Sequence, residues 1–342
     1  MYLEATSLDD LLHRVFDLLF QQGTQIEASR GPCTELIGVL LKLSKPRARI
    51  STTETRGKVF SSLGELAWYL SGSNKLAFIK HYVEAYVKES QDGVTIPGAY
   101  GPRMFGSGNE AQIENIVKLL KSKPSSRRAV IQLYDRRDLV LSTQAAVENK
   151  SASEVPCTCT LQFFVRNGQL DLLASMRSND AYLGLPHDVF CFTMIQEIVA
   201  RALGRELGCY MHSIGSLHIY EPAYKSAKDY LSEGWQRLEE MMPMEAGDQR
   251  ENIAWFLSQE SAIREGEFNP ADPEGGTPFW TDLIRLLNIY KSTKLEDSAS
   301  AISFMQSQRE KMGSDIFDIH IEEKAQFLHD KMKEKQKPAE AI

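Results

Sequence analysis

The sequence MRSNDAYLGLPHD occupies residues 176–188 and joins a predicted strand to a predicted helix. Before it, Leu161 to Arg166, the turn Asn167-Gly168 and Gln169 to Met176 predict a β-hairpin, because Asn-Gly is a strong turn signal. After it, Leu185 to Leu203 predicts a long buried helix. Polar and charged side chains are therefore concentrated at the place where a strand ends and a helix begins.

Hydrophobic periodicity and turn residues predict the other elements. They are a helix from its N-cap Ser7 to about Phe20, a strand at Leu36 to Leu43, helices at about Ser62 to Leu70, Lys75 to Lys88 and Ala111 to Lys121, loops at Gly93 to Gly108 and Val140 to Glu154, strands at Arg128 to Tyr134 and Tyr210 to Ile219, and a helix at Tyr220 to Glu233. The composition becomes charge-rich and helix-prone after Glu239. We therefore expect a catalytic domain over residues 1–239 and a helical extension over residues 240–342, packed on it or following it, with a frayed tail from Lys324.

Composition limits the classes of function. The 342 residues are 42% hydrophobic and 25% charged, which is ordinary for a soluble globular protein. The net charge of −7 argues against a nucleic-acid partner, and the absence of an apolar run of about 18 residues argues against a membrane span. The odd number of cysteines, 5, suits a reducing compartment, and the N-terminus does not read as a signal peptide. We expect a cytoplasmic protein.

A second motif, Val155-Pro156-Cys157-Thr158-Cys159, precedes the hairpin. Together with residues 176–188 it resembles the thymidylate synthase family, in which such a cysteine attacks a pyrimidine ring and such an arginine holds the phosphate. The resemblance covers roughly residues 23–232 and rests on several motifs in the same order. It implies an α/β (α+β) fold in which a large mixed sheet carries helices on one face and dimerises through the other.

Cys157 is the candidate nucleophile. A thiolate that adds to carbon 6 of a pyrimidine makes carbon 5 nucleophilic, and nearby arginines favour the thiolate. An isolated cysteine is more often a small buried hydrophobe, or one half of a metal pair with Cys159. The downstream motif favours the nucleophile for Cys157, whereas Cys159 keeps the packing role. Two cysteines without a pair of histidines make a poor zinc site, so no metal is expected.

Phosphate recognition requires guanidinium groups, which match a phosphate dianion in a bidentate manner. The candidates are Arg30, Arg127, Arg128 and Arg177, with Ser178 as a hydroxyl donor. An Arg-Arg pair is more often a solvated surface feature. Here the pair resembles the arginines that family members lend to the partner's active site, which implies an obligate homodimer with shared sites.

Asp188 is the residue that distinguishes subtypes. Thymidylate synthases carry Asn where this chain has Asp188, and the cytidylate-specific relatives carry Asp. Cytosine presents an acceptor at N3 and an amino group as a donor, and a carboxylate can accept from that amino group and from a proton at N3, which stabilises the adduct. The alternative is that Asp188 caps the helix that it begins. His187, where the family often has Phe, is assigned no role.

His218 and Tyr220 lie two apart on a predicted strand, so both side chains can point from one face. They resemble the family's His-x-Tyr pair, which binds the sugar 3′-hydroxyl. A lone histidine on such a strand is more often a satisfied core residue, but the matched spacing favours the site.

Three further residues resemble residues that have a known role in the family. Glu65 resembles the glutamate that organises water and proton transfer at the base, and the alternative is a capping box over Ser62-Leu63-Gly64-Glu65. Tyr100 resembles the tyrosine that assists proton removal at carbon 5. Asp180 resembles the aspartate that contacts the folate pterin, and we count it with both the catalytic and the cofactor-binding candidates.

The resemblance implies a pyrimidine-nucleotide C5 transferase. No Trp lies between Tyr69 and Arg103, where thymidylate synthases place shielding tryptophans, and their closing tail has no counterpart. An open site favours water over hydride. We therefore expect 5-hydroxymethylation of a cytidine monophosphate, dCMP before CMP, with 5,10-methylenetetrahydrofolate as co-substrate. The alternatives are a divergent thymidylate synthase that methylates dUMP and a non-catalytic nucleotide- or RNA-binding member of the fold.

Overall fold

The structure, a computed structural model, describes residues 1–53, 59–106, 111–148 and 155–336. In these ranges seven strands form one mixed sheet, in the order β1-β3-β7-β6-β5-β4, with β2 beside β3. The strands are β1 (Tyr2–Ala5), β2 (Thr24–Ala28), β3 (Gly31–Leu43), β4 (Val130–Gln132), β5 (Thr158–Arg166), β6 (Gln169–Asp180) and β7 (Glu206–Tyr220). The pairs β1–β3 and β6–β7 are parallel and the others are antiparallel, so the predicted large mixed sheet is confirmed.

The same ranges contain the α-helices that complete the mixed α/β fold. These are α1 (Leu8–Gln22), α2 (Val59–Leu70), α3 (Leu76–Ile79), α4 (Tyr100–Phe105), α5 (Gln112–Ser122), α6 (Arg136–Val147), α7 (Gly184–Leu203), α8 (Tyr224–Ser232), α9 (Arg250–Glu265), α10 (Pro278–Ser292), α11 (Ser298–Arg309) and α12 (Asp318–Gln336). The predicted helices from Ser7, over residues 111–121 and over residues 185–203 are confirmed to within a few residues.

The sheet buries one face more deeply than the other. Along β5, Leu161 and Phe163 are fully buried, whereas Gln162 and Phe164, which alternate with them, are only partly buried. This alternation is that of a strand with one face against the core. Helix α1 packs on β1 and β3, and α7 packs on β6 and β7. Dimerisation through the less buried face stays a prediction.

The hairpin formed by β5 and β6 has the predicted turn. Asn167 and Gly168 both adopt positive φ, 51° and 80°, as the two central residues of a type I′ turn require. Arg166 and Gln169 pair across it. Strand β6 then runs parallel to β7, which places Asp180 opposite His218.

Several predicted elements differ from the structure. The helix expected over residues 75–88 is broken into α3 and a 3-10 helix at Glu84–Glu89, and the loop expected over residues 93–108 contains α4. Residues 140–147 belong to α6, because Asp135 and Asp138 form a capping box that starts this helix; residues 149–154 of the expected loop lie outside the described ranges.

Two corrections concern the C-terminal third of the chain. The helix predicted from Tyr220 begins at Tyr224, after a 3-10 turn at Glu221–Ala223 that contains a proline. The tail predicted to fray from Lys324 is helical as far as Gln336 within α12, and the remainder of the predicted tail lies outside the described residues.

The C-terminal helices contact the part of the chain that carries Glu65. Helices α9 and α10 pack against α2. The Tyr82 hydroxyl donates to Glu260 Oε1 over 2.7 Å, and the Tyr290 hydroxyl donates to the His81 carbonyl over 2.9 Å. The boundary after residue 239 stays a prediction. Over the ranges that the structure covers, every helix is too short or too polar to cross a bilayer.

A buried ion pair joins the segment after β3 to helix α7. Arg49 and Glu197 are both fully buried and hydrogen-bonded to each other, and Arg47 Nε donates to Glu197 Oε1 over 2.9 Å. The backbone N–H of Met244 donates to the same oxygen over 3.1 Å. Removal of one partner of such a pair strongly destabilises a protein, because it leaves an uncompensated buried charge. Through the Met244 bond, Glu197 also attaches the chain after α8 to helix α7.

Candidate functional site

Cys157 and Arg177 meet where β5 begins beside β6. The Arg177 backbone N–H donates to the Cys157 carbonyl over 2.9 Å, and its Nε donates to the Pro156 carbonyl over 3.0 Å. These bonds hold the guanidinium so that Nη2 lies 3.5 Å from Cys157 Sγ. A guanidinium at this distance stabilises a thiolate, which is the reactive form of cysteine. Two residues that the sequence singled out separately are thus brought together.

Tyr100, at the start of α4, contacts the residue that follows the candidate nucleophile. Its hydroxyl oxygen accepts hydrogen bonds from the Thr158 backbone N–H and side-chain hydroxyl, each over 3.0 Å. Burial raises the pKa of Tyr100 well above its usual value, and the nearby Cys157 and Asp188 raise it further. The phenol therefore stays protonated. Its oxygen accepts from Thr158, and its O–H can donate a hydrogen bond to a bound molecule.

Glu65 projects from the middle of α2 and is buried. Its Oε1 accepts from the Tyr69 hydroxyl over 2.9 Å and from the Tyr86 hydroxyl over 2.7 Å. The capping-box alternative is wrong, because the described part of α2 already begins at Val59 and Ser62 lies inside the helix. Glu65 is therefore a buried carboxylate surrounded by phenols.

Asp188 lies inside the first turns of α7, which begins at Gly184. The alternative that Asp188 caps this helix is wrong, since Leu183 occupies the N-cap position without a side-chain cap. Instead, Asp188 Oδ2 accepts from Asn179 Nδ2 over 2.7 Å. Burial raises the pKa of Asp188 well above its usual value, the Glu65 carboxylate raises it further, and the Asn179 bond opposes both. The two carboxyl groups, Asp188 and Glu65, thus share one environment.

Asp180 shapes the turn between β6 and α7. Its Oδ1 accepts from the backbone N–H groups of Tyr182 and Leu183, each over 2.8 Å. This is the turn that aspartate side chains commonly form with the backbone two residues on. Leu183 beside it is 49% exposed.

His218 and Tyr220 lie near the end of β7, with their rings in edge-to-face contact at 5.0 Å between centroids. The sequence interpretation that both point to one side of the strand is consistent with this contact. Burial raises the pKa of Tyr220, and the positive charge of Arg30 opposes the rise. The charge of Arg30 therefore influences the ionisation of the Tyr220 hydroxyl. The guanidinium of Arg30 also forms an ion pair with Glu89 over 2.7 Å.

The other phosphate-binding candidates lie at the surface. Arg127 and Arg128 are exposed just before β4, where the Arg127 carbonyl accepts from Gln162 Nε2 over 3.0 Å. Ser178 pairs with Ser216 in the β6–β7 register. The structure therefore joins Arg177 directly to the thiol, while Arg127 and Arg128 present exposed side chains.

Sequence reasoning missed three residues of this cluster: Tyr69, Tyr86 and Asn179. Tyr69 lies four residues after Glu65, so helical spacing alone indicates the contact. Asn179 lies inside the quoted motif, where strand alternation turns it inward between Ser178 and Asp180. Tyr86 reaches Glu65 only through the break between α3 and the 3-10 helix, and no local signal indicates that.

Within the ranges that the structure covers, no group of three or more His, Cys, Asp or Glu side chains is arranged to hold a metal ion. The cluster described here combines one thiol, carboxyl groups, phenols and guanidinium groups. That set suits nucleophilic and acid–base chemistry on an anionic substrate.

Comparison with known proteins gives a consistent result. The family model described as "Thymidylate synthase" matches residues 19–265, which is more than half of the chain. Proteins named "Thymidylate synthase" from Francisella tularensis subsp. holarctica, strains FTNF002-00 / FTA, OSU18 and LVS, are each 29% identical over 181 residues. The alignment covers 50% of this chain and 65% of each relative, so the chain spans less than two thirds of their length.

Proposed function

The chain belongs to the thymidylate synthase family, and from this premise we propose that it transfers a hydroxymethyl group to carbon 5 of a cytidine monophosphate. The one-carbon donor is 5,10-methylenetetrahydrofolate. The preferred nucleotide is dCMP, because the Arg177-Ser178 pair resembles that of deoxynucleotide-specific relatives, and CMP is the second candidate.

The observation that carries this proposal is the carboxyl group of Asp188, held by Asn179 beside Glu65. An oxygen of the Asp188 carboxyl group accepts from the 4-amino group of cytosine, and in the covalent adduct it can also accept from a proton at N3, whereas uracil presents a carbonyl oxygen at position 4. Two acceptors that face each other in a buried site repel, and the unmade hydrogen bond costs about 1–3 kcal/mol. Asp188 therefore favours cytosine.

Cys157 supplies the covalent step. Its thiolate adds to carbon 6 of the base, which makes carbon 5 the nucleophile that takes up the one-carbon unit. The proton on carbon 5 passes to a water molecule, and the protonated Tyr100 hydroxyl assists by hydrogen bonding to that water. Arg177 stabilises the thiolate at the start and when it is expelled at the end, because its Nη2 lies 3.5 Å from the sulfur. Arg177, with Ser178 and Arg30, also binds the phosphate.

Glu65 directs water to the one-carbon unit on carbon 5. Its carboxylate accepts from Tyr69 and Tyr86, so the surroundings of Glu65 include two hydroxyl groups. Polar surroundings retain water, which then adds at the exocyclic carbon in place of hydride. The balance is one nucleotide, one methylene-folate and one water consumed, and one hydroxymethyl nucleotide and one tetrahydrofolate formed.

The residues present also fit the folate. Asp180 offers a carboxylate to the N–H donors of a pterin, with Oδ1 already fixed by two backbone N–H groups. The exposed Leu183 next to it provides an apolar surface for an aromatic ring. The folate would supply the one-carbon unit at this place, and His218 with Tyr220 would bind the sugar hydroxyl on the other side.

The product identity tests the proposal. When the protein is incubated with dCMP, CMP or dUMP and methylene-folate, we expect the cytidine product to gain the mass of a hydroxymethyl group. Folate should leave as tetrahydrofolate, because water and not folate hydride completes the reaction. Mass spectrometry of the nucleotide and the absorbance of dihydrofolate give the two readouts.

Other outcomes of the same assay identify the rival functions. Stoichiometric dihydrofolate with methylated dUMP would indicate a thymidylate synthase. Nucleotide binding without turnover of any of the three nucleotides would indicate a non-catalytic member of the family. Either result contradicts the hydroxymethylase.

We further propose that the protein acts as a homodimer in which Arg127 and Arg128 bind the phosphate in the partner's site. Both side chains are exposed and directly precede β4, so they are free to reach beyond their own subunit. This arrangement needs two copies for one complete site.

Mixing two inactive variants, Cys157→Ala and Arg128→Ala, should therefore restore activity. In a mixed dimer one site combines an intact cysteine with an intact partner arginine, so random assembly should give roughly a quarter of the wild-type activity. Activity is measured after the subunits are denatured and refolded together, with each variant refolded alone as the control. Mixed dimers that form but stay inactive would place Arg128 in its own subunit's site.

A further inference from the structure

Glu65 is held by two hydroxyl groups, and one of them lies outside its own helix. The Tyr69 hydroxyl donates to Glu65 Oε1 from the next turn of α2. The Tyr86 hydroxyl donates to the same oxygen over 2.7 Å from the 3-10 helix that follows α3. Among the described residues, none donates a hydrogen bond to Oε2. The carboxyl group is thus fixed through one oxygen, and the other can accept from a water molecule.

The segment that carries Tyr86 is tied together by its own backbone. The Val83 N–H donates to the Ile79 carbonyl over 2.8 Å, and the Tyr86 N–H donates to the Val83 carbonyl over 3.3 Å. The ring of Tyr86 also lies edge-to-face with that of Trp68 on α2, at 5.3 Å between centroids. A displacement of residues 79–83 is therefore transmitted to the Tyr86 hydroxyl.

Helices α9 and α10 hold the same segment through two hydrogen bonds. On α9, Glu260 Oε1 accepts from the Tyr82 hydroxyl over 2.7 Å. On α10, the Tyr290 hydroxyl donates to the His81 carbonyl over 2.9 Å. Tyr82 is 7% exposed and Glu260 is 1% exposed, so water competes little for the first of these bonds.

Gly64 lets this anchored segment lie against the residue next to Glu65. A Cβ at Gly64 would lie 2.0 Å from Tyr82 Cγ and 2.5 Å from Tyr82 Cβ, which is closer than two such atoms can approach. The ring of Tyr82 therefore packs directly on the backbone of α2, and the missing side chain makes this possible. Tyr82 and Tyr86 thus contact the neighbouring residues Gly64 and Glu65.

We propose that α9 and α10 act in catalysis through Tyr82 and Tyr86, which are positioning residues for Glu65. By holding the segment over residues 76–89 on α2, the two helices keep the Tyr86 hydroxyl on Glu65 Oε1. Oε2 is then aimed at the water that adds to the one-carbon unit. This inference rests on the proposed function, because it concerns how Glu65 is made ready for that reaction.

The step that depends on this positioning is the addition of water. The water oxygen bonds to the exocyclic carbon, Glu65 Oε2 takes a proton from that water, and the electron pair displaced into the ring then expels the Cys157 sulfur. A general base must lie within hydrogen-bond reach of the proton that it takes. A misplacement of about 1 Å can cost about a hundredfold in rate.

The test removes both anchoring hydroxyl groups and keeps their rings, in the double variant Tyr82→Phe/Tyr290→Phe. Glu260 keeps a partner in this variant, since Arg264 Nε donates to its Oε1 over 2.8 Å. The loosened segment should lower kcat for the hydroxymethylation of dCMP about fivefold. KM and the calorimetric dissociation constant of dCMP should stay within about twofold of the wild-type values, because neither tyrosine is a nucleotide-binding candidate.

A third substitution distinguishes positioning from a general loss of structure. Tyr86→Phe alone should lower kcat about tenfold, because Glu65 loses a charge-assisted hydrogen bond. In the Tyr86→Phe background, the substitutions at Tyr82 and Tyr290 should lower kcat by less than about twofold more, since the hydroxyl group that they position is already gone.

Gly64→Ala changes the same contact from the side of α2. Its methyl group would displace the Tyr82 ring, so kcat should fall about tenfold although every hydrogen-bonding side chain is kept. Tyr230→Phe is the matched control, because Tyr230 is also buried and its hydroxyl donates to Asp9 Oδ1 over 2.6 Å, between α8 and α1. It should lower the melting temperature without changing kcat.

An unchanged kcat in folded Tyr82→Phe/Tyr290→Phe and Gly64→Ala proteins would overturn the role of the two helices. An equal loss of kcat with and without the Tyr86 hydroxyl would overturn it as well, because α9 and α10 would then support the fold without acting through Tyr86. A wild-type protein that forms no hydroxymethyl nucleotide would instead overturn the proposed function itself.

Discussion

Replacing Cys157 with alanine is expected to reduce turnover at least ~1,000-fold while leaving nucleotide binding largely intact. The thiolate makes the covalent bond to carbon 6, and Arg177 Nη2 lies 3.5 Å from the sulfur of Cys157. The phosphate and the base keep their binding groups in this variant. Turnover is measured with the proposed nucleotide, and binding is measured by calorimetry.

Cys159→Ala is the matched control for this experiment. Cys159 is also a partly buried free cysteine at the start of β5, and its carbonyl accepts from the backbone N–H groups of Leu133 and Tyr134. Those backbone bonds survive the substitution, so activity should stay close to that of the wild type. A Cys157→Ala protein that retains more than a few per cent of the activity would exclude Cys157 as the nucleophile.

Replacing Asp188 with asparagine should move the preference from cytosine toward uracil nucleotides. The amide provides a permanent donor for the carbonyl oxygen of uracil, where the carboxylate provides none. A base whose hydrogen-bonding groups no longer match those of residue 188 binds less favourably by ~1–3 kcal/mol. This corresponds to a change in preference of about tenfold to a hundredfold. The ratio of kcat/KM for dCMP and dUMP gives the result.

Asp171→Asn is the corresponding control. Asp171 on β6 accepts from the Cys209 backbone N–H over 2.7 Å, so the same chemical change is made at a carboxylate that serves the sheet. The ratio of kcat/KM should not change in this variant. If Asp188→Asn leaves the ratio unchanged as well, Asp188 does not select the base.

The elements that the sequence predicted best are those with strong local signals. The Asn167-Gly168 turn needs positive φ at both positions, and few residue pairs other than Asn-Gly allow it readily. Helix α7 is a long apolar run with a clear end. The sequence singled out Arg177 and Cys157 separately, and the pairing of β5 with β6 brings them together.

The predictions that were wrong concern contacts between distant parts of the chain. The helix expected over residues 75–88 looks continuous in its periodicity, but Tyr82 bonds to Glu260 and Tyr86 bonds to Glu65, which are far away in sequence. For α6 a local signal was present: Asp135 and Asp138 have capping-box spacing, yet the polar composition of the segment outweighed it. Tertiary contacts commonly override local preference in this way.

The packing of α9 and α10 on α2 also determines when the site becomes complete. A ribosome makes the chain from its N-terminus, so α2, with Glu65, is synthesised long before α10 begins at Pro278. Until then the outer side of α2 has no cover, and Tyr82 has no Glu260 to bond to. The synthesis of α9 and α10 therefore precedes the completion of the site, and a nascent chain that already contains every candidate catalytic residue still lacks the helices that pack on α2.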